Sequence, residues 1–491
     1  MNRFIGSVKS QMFRLGGYDK TVSGMYIPRY YWFENTSPKK SWATFMSPEI
    51  IRSSFYQTLQ EFPILAGHFK MGKDRQEYIS VDRKKLNMPT YTDRNWDIDF
   101  KQIKDTGFNT NMLPETFHEA SGFPIVSRFG TTGAKLGVFH VRRLKNFSGV
   151  VVFASIAHGA VDGHGYAAFM NRWAELSKLM HKNTTEKEVG LPTRTFSHDR
   201  SISRAYNPDD IDALDAFTLK AIANGSVITR FIAWLPADKR NLIFKATMPT
   251  EQLVCCSFHV PNRAIKALRE SVQEYAPHGT RYSVNDVIAA LMTMVIGQAM
   301  HKTSVENQNN FGNRNSDGDD TMTAVTVNTR LRLNDPSAKD FVGNLSFARY
   351  ILNHQALVQA DTNPRNISAI AANIREGVSV IDEKYIGQFN RLINSEPDMF
   401  VRVGTSYLNF KNRLVVSNVT KSGYYEADFG AGIPCLVRPT YRTIMNTIFI
   451  MLGHPDVGGY DLVMTLKKDV AKMVSQNEKW IGLVDSYNID I

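Results

Sequence analysis

Cysteine is scarce in this chain: Cys255, Cys256 and Cys435 are the only three in 491 residues. Three thiols, two of them adjacent, cannot build a disulfide framework and offer no metal-ligand spacing. Long apolar runs are missing too, since no stretch approaches the roughly 20 uninterrupted apolar residues that cross a bilayer. The start, Met1-Asn-Arg-Phe-Ile-Gly-Ser-Val-Lys-Ser10, has no apolar secretory core. These absences point to a reducing, cytoplasmic setting with no membrane span and no resident metal. Acidic residues are outnumbered, 47 Asp and Glu against 58 Lys and Arg, for a net charge of +11. Yet the basic residues come in small scattered groups, such as Arg83-Lys84-Lys85 and Lys467-Lys468. No nucleic-acid-binding motif accompanies them, so a solvated surface is expected and no nucleic-acid partner. No internal repeat appears.

What is present is the composition of a folded globular chain, 43% apolar and 11% aromatic. Its length exceeds one ordinary core and implies two large domains. Met25-Tyr-Ile-Pro-Arg-Tyr-Tyr-Trp-Phe33 reads as an irregular aromatic segment. A helix follows, with Ser47 as its cap, Pro48 in its first turn and Ile51, Phe55, Leu59 and Phe62 as its apolar stripe. Pro63 ends it, and Ile64 to Phe69 reads as a turn into a strand. Residues 182–212 are polar and turn-rich, as a crossover between domains would be. Beyond them, Cys255 to Val260 is a strand, residues 262–275 and 284–300 are helices, and residues 302–320 are an exposed loop. Ser283-Val-Asn-Asp286 has the form of a capping box.

The most informative stretch is His158-Gly-Ala-Val-Asp162-Gly163. Before it runs Val150-Val-Val-Phe-Ala-Ser-Ile156, with the length and composition of a buried strand. After it, Tyr166, Phe169, Met170, Trp173, Leu176 and Met180 recur at helical spacing. His158 therefore sits where a strand turns, a place from which an imidazole can face a channel. A neutral imidazole titrating near working pH suits removal of a proton from an attacking hydroxyl or amine. Asp162, four residues on, can fold back and fix the turn, and Gly163 lets the backbone turn sharply.

Four further segments stand in order around this motif. Upstream is Phe62-Pro-Ile-Leu-Ala-Gly67; downstream are Ser283 to Ala290, then Val327-Asn-Thr-Arg330-Leu-Arg332 with Gly343-Asn344. Last comes Asp428-Phe429-Gly430-Ala431-Gly432. In this order the set resembles the BAHD-type acyl-CoA-dependent acyltransferases, which carry H-x-x-x-D-G, V-x-x-R-x-R, G-N and D-F-G-W-G segments. In particular it resembles their fungal, trichothecene 3-O-acetyltransferase-like branch. The resemblance covers residues from about 15 to 470. The chain departs from the pattern at His68, where arginine is usual, and at Val419 and Ala431, where tryptophan is common.

The resemblance implies an α/β fold of two similar-sized domains, each a mixed sheet flanked by helices, with a channel between them. The corresponding ranges are residues 1–205, a crossover at 206–220, and 221–491, with about 405–435 completing the first sheet. It implies His158 and Asp162 as the catalytic-motif pair: His158 is the general base, and Asp162 pairs structurally with Arg330. Gly163, Asp428, Phe429, Gly430 and Gly432 become architectural residues, and Arg281 and Ser283 candidate contacts to coenzyme A. The donor is an acyl-CoA, acetyl-CoA by default, used as a co-substrate with no permanently bound cofactor. The acceptor is a small-molecule alcohol or amine, and the enzyme a monomer. Three other readings remain; one, a lipoyl-linked acyltransferase, would place the motif near the C-terminus and would need a swinging domain. A condensation-type enzyme using carrier-bound acyl groups usually has a second histidine where this chain has Ala157, and Leu15-Gly-Gly-Tyr-Asp19 lacks a carrier serine. The third is a non-catalytic binding protein of the same fold.

Overall fold

The computed structural model describes residues 2–37, 41–74, 76–109, 112, 134–183, 193–203, 214, 253–307, 320–395, 412–439 and 446–490. Apart from Leu214, the expected crossover at 206–220 lies outside the described residues, as do positions 308–319 of the expected loop.

A small antiparallel sheet forms from β1 (Gln11–Arg14), β3 (His68–Met71) and β4 (Glu77–Val81). Five strands make the sheet of the N-terminal half: β2 (Tyr26–Glu34), β5 (Thr90–Trp96), β6 (Gly137–Leu144), β7 (Gly149–Ala157) and β12 (Leu436–Pro439). Their spatial order is β12-β2-β7-β6-β5. Seven strands make the other: β8 (Leu253–Val260), β9 (Thr321–Asn328), β10 (Ser346–Asn353), β11 (Asn412–Asn418), β13 (Thr447–Leu452), β14 (Tyr460–Lys467) and β15 (Ser486–Asp490). These are ordered β10-β9-β11-β13-β14-β8-β15. Both larger sheets are mixed, with β5–β6, β9–β11 and β11–β13 parallel. This is the α/β architecture of two helix-flanked mixed sheets that the sequence implied.

Burial on both faces explains why β7 is almost wholly apolar. Val150, Val152, Ala154 and Ile156 enter the core beneath the helices Pro48–Glu61 and Gly163–Asn183. Val151 and Phe153 point the other way, toward Phe100 and Ile103. The same alternation holds in β2, and here the structure corrects the expected irregular segment. Ile27, Tyr31 and Phe33 face the helices, while Tyr30 and Trp32 face Phe100. Pro28 is tolerated because β12 pairs with β2 only from Arg29 to Trp32, so the missing N–H falls beyond that ladder.

Other boundaries move as well. The second-half helix begins at Val284 but runs to Asn307, into the expected loop. Its Val284–Thr303 stretch is long and apolar enough to cross a membrane, contrary to the reading of the sequence. Most of that stretch is buried inside the protein, where its apolar surface packs against Ile367, Ile370 and Ile374. Ser47 holds the N-cap position of the Pro48–Glu61 helix, yet its side chain makes no capping hydrogen bond. The strand that returns to the N-terminal sheet is β12 at Leu436–Pro439, just past the expected 405–435. Within that range, β11 belongs to the larger sheet.

Among the contacts that tie the halves together, one is an ion pair and one is aromatic. Arg330 and Asp162, 5% and 2% exposed, meet through Nη1 to Oδ2 at 2.6 Å and Nη2 to Oδ1 at 3.0 Å. Phe429 sets its ring edge-on to Trp173 and Phe33, with centroids 5.0 and 5.6 Å away. Asp162→Ala and Arg330→Ala should each cost about 3–5 kcal/mol, since each strands a buried charge. The double substitution should cost less than the sum. Phe429→Ala should cost about 3–5 kcal/mol through the cavity it leaves. Denaturant unfolding of the purified variants checks all of these.

Candidate active site

β7 ends at Ala157, and the next residue is His158, whose main-chain N–H donates to Met25 O at 2.8 Å. The turn closes through Ala160 N–H to Ala157 O, at 2.9 Å. At its far side Asp162 acts as the cap of the Gly163–Asn183 helix. Its Oδ1 accepts the N–H groups of His164 and Gly165, each at 3.1 Å. Its Oδ2 also accepts the Leu345 N–H at 3.2 Å. Burial pushes the Asp162 carboxyl up, but the Arg330 guanidinium, through charge and hydrogen bonds, outweighs this and holds it below the usual carboxylate range. With Arg330 and three N–H groups on it, this carboxylate is a structural joint.

Gly163 does not have the expected backbone role. It is the first helical residue, and a Cβ there would lie an ordinary 3.4 Å from the Tyr424 hydroxyl. The glycine that the site requires is Gly165, where a Cβ would fall 2.0 Å from Val342 O. Asp428 receives Lys178 Nζ at 2.5 Å and the N–H groups of Gly430 and Gly432 at 2.8 and 3.0 Å. Both glycines have positive φ, +94° and +91°. Phe429 is buried and Ser177 Oγ donates to its carbonyl at 3.1 Å. The segment thus clamps the Gly163–Asn183 helix, away from the cavity walls.

His158 opens onto a cavity of about 640 Å³ between the halves. Met25, Ile27 and Arg29 wall it from β2 and the residue before it; Ala324, Thr326 and Asn328 wall it from β9; Val415 and Ser417 wall it from β11. Ser283 and Asn285 reach it from the start of the Val284–Asn307 helix. Ser283 is also a genuine cap: its Oγ accepts the Asp286 N–H at 3.2 Å, and Asp286 Oδ2 accepts the Ser283 N–H at 2.7 Å. Arg281 is exposed and is not part of the wall. His164 faces the cavity too, but its Nε2 is 3.2 Å from Lys339 O, so it serves as a donor to that carbonyl.

Burial lowers the His158 pKa, and nearby Arg29 adds to this; its own backbone, Asp162 and Asn344 oppose it. Asn344, named in the sequence only as part of the Gly343-Asn344 segment and given no role there, is a functional neighbour of His158. Its Nδ2 donates to His158 O at 2.7 Å, which leaves Oδ1 facing His158 Nδ1 at 3.0 Å. An amide oxygen only accepts, so Nδ1 carries the proton and Nε2 keeps its lone pair. The sequence signal was the Gly343-Asn344 pair itself. Its meaning depends on a contact across 186 positions.

A family model described as the Transferase family matches residues 233–480. The acyltransferase BOA11 of Botryotinia fuckeliana is 22% identical over 463 residues, covering 88% of each chain. Diaboline synthase of Strychnos sp is 25% identical over 479 residues, covering 95% of this chain and 86% of its own. Among solved structures, F. graminearum TRI101 complexed with coenzyme A and deoxynivalenol superposes with a TM-score of 0.72 at 13% identity. That match covers 97% of this chain and 99% of TRI101. The model match spans half of the sequence, and the motif order and the paired mixed sheets agree with it. The chain belongs to the Transferase family, the BAHD-type acyltransferases.

Proposed function

We propose that this acyltransferase moves an acetyl group from acetyl-CoA to a hydroxyl or amine of a small-molecule acceptor, with His158 as general base. One observation carries the reading: a part-buried imidazole on the wall of a cavity shared by both halves, protonated at Nδ1 and open at Nε2. Nε2 takes the acceptor's proton as its oxygen or nitrogen attacks the thioester carbonyl. Collapse of the tetrahedral intermediate breaks the carbon–sulfur bond, and the imidazolium returns the proton to the departing thiolate. Asp162 and Arg330 hold the turn and touch no reacting atom. The coenzyme A and deoxynivalenol of the TRI101 complex support the two substrate classes. Ser283, on the cavity wall beside a helix start, is the better placed of the two expected coenzyme A contacts. Cys255, Cys256 and Cys435 form no disulfide with one another, which suits a cytoplasmic setting.

Thiol release from a panel of acyl-CoAs with pooled alcohols and amines tests the reading. Release should require an acceptor, be fastest with acetyl-CoA, and fall roughly 10²–10⁴-fold in folded His158→Ala. Unchanged release in that variant removes His158 as the base. The base works only when neutral, and its pKa is lowered by burial. The acid limb of kcat/KM should therefore have its midpoint below the ordinary histidine value of 6.5. A midpoint above that value contradicts the assignment.

A further inference from the structure

Leu15-Gly16-Gly17-Tyr18-Asp19 has no part in the chemistry above, yet Asp19 lies directly behind it. Asp19 is completely buried, on the short helix Gly17–Val22. Its Oδ2 accepts the Gly16 N–H at 3.0 Å and Arg200 Nε at 3.1 Å. Its Oδ1 accepts both the main-chain N–H and the Nδ2 of Asn344, at 3.1 and 2.8 Å. All four neighbours are donors. A carboxylate, which only accepts at both oxygens, satisfies them; an asparagine would turn its NH₂ toward donors in either orientation.

Asn344 is the intermediary. Its Nδ2 gives one hydrogen to Asp19 Oδ1 and one to His158 O, so Oδ1 is left for His158 Nδ1. Turned over, the carboxamide would set its oxygen against two acceptors and its NH₂ against Nδ1. Nδ1–H would then oppose an NH₂ group, and although the hydrogen bond to its own main chain still favours that proton, the balance would shift toward Nε2–H, on the atom needed as base. The surroundings hold Asp19 in place. Arg200 Nη2 donates to Ala160 O at 2.6 Å, inside the His158 turn. A Cβ on Gly17 would lie 2.2 Å from Ile393 Cγ1, so the short helix is pressed close against the Glu383–Ser395 helix.

We propose that Asp19 is a positioning residue for acyl transfer: by fixing the orientation of the Asn344 carboxamide, it keeps His158 in the tautomer whose Nε2 is open. Asp19 touches neither substrate nor the imidazole. The inference rests on His158 being the base.

The test is ¹H–¹⁵N correlation of protein labelled on its histidine rings, above the histidine titration, with His158 signals assigned by their loss in His158→Ala. Wild type should show the Nδ1–H tautomer. Asp19→Asn should populate the Nε2–H tautomer and lose kcat roughly 10²-fold, the direction seen when a catalytic histidine is left in the wrong tautomer. KM for acyl-CoA should stay within about twofold, since no substrate contact is removed. Where Asp19→Asn alone does not fold, Asp19→Asn with Arg200→Gln removes both charges of the buried pair together and gives the same readout. Asn344→Leu should match these losses, and adding Asp19→Asn to it should cost nothing more. An Nε2–H tautomer in wild type overturns the proposal. So does a folded Asp19 variant with wild-type tautomer and kcat, or losses at Asp19 and Asn344 that add. Activity retained in His158→Ala would instead defeat the base assignment, with the tautomer result standing apart from it.

Discussion

The geometry of the site depends on one buried ion pair, Asp162 with Arg330. The carboxylate caps the Gly163–Asn183 helix, which fixes the turn four residues after His158. The guanidinium donates to Phe341 O at 3.1 Å and Gly343 O at 2.7 Å, and the carboxylate accepts the Leu345 N–H. Residue 344 is therefore bracketed by backbone groups bound to the same pair. His158, the proposed base, and Asn344 come from different halves, and this joint brings them into register.

A buried pair of this kind is poor value as stability alone, because desolvation of both ions offsets most of their attraction. Its use here is positional. Every polar atom of the Asp162 carboxylate is engaged from a defined direction, so the two halves meet in one relative register. Its depressed pKa means that the contribution is in place above about pH 4, the unfolded carboxylate range, and is lost as pH falls through the folded value. His158 is handled in the opposite sense. Its neighbour is a neutral amide in place of a carboxylate, and burial with Arg29 keeps the imidazole uncharged. The lowered pKa favours the neutral imidazole, which the proton acceptor proposed here requires near neutrality.

Local patterns were legible in the sequence where one physical rule decided the outcome. The apolar run before His158, the periodic helix after it and the cap at Ser283 follow from burial and capping alone. The Asp162–Arg330 pairing was implied by resemblance and is present in the geometry. Misreadings arose where distant chain segments decided. Residues 25–33 read as irregular because their partners β7 and β12 are remote in sequence. Gly163 was credited with a turn when the crowded backbone is at Gly165, against Val342 from the other half. Asn344 and Asp19 sit in plain motifs, but their roles arise from contacts across 186 and 325 positions.

The motif residues report the reaction and say little about the acceptor. In β9, Ala324, Thr326 and Asn328 alternate toward the cavity, while Val325 and Val327 turn into the cores behind it. In β11, Val415 and Ser417 face the cavity and Leu414 and Val416 do not. Substitutions at Ala324, Thr326, Val415 and Ser417 leave the Asp162–Arg330 joint and the Asp19–Asn344–His158 line untouched; Asn328 is the exception, since its Oδ1 accepts the Arg330 N–H at 3.0 Å. Acceptor shape and polarity can therefore change through alternate strand positions at little cost to the framework. A fixed histidine turn beside an alternating cavity wall lets acceptor contacts vary within one fold.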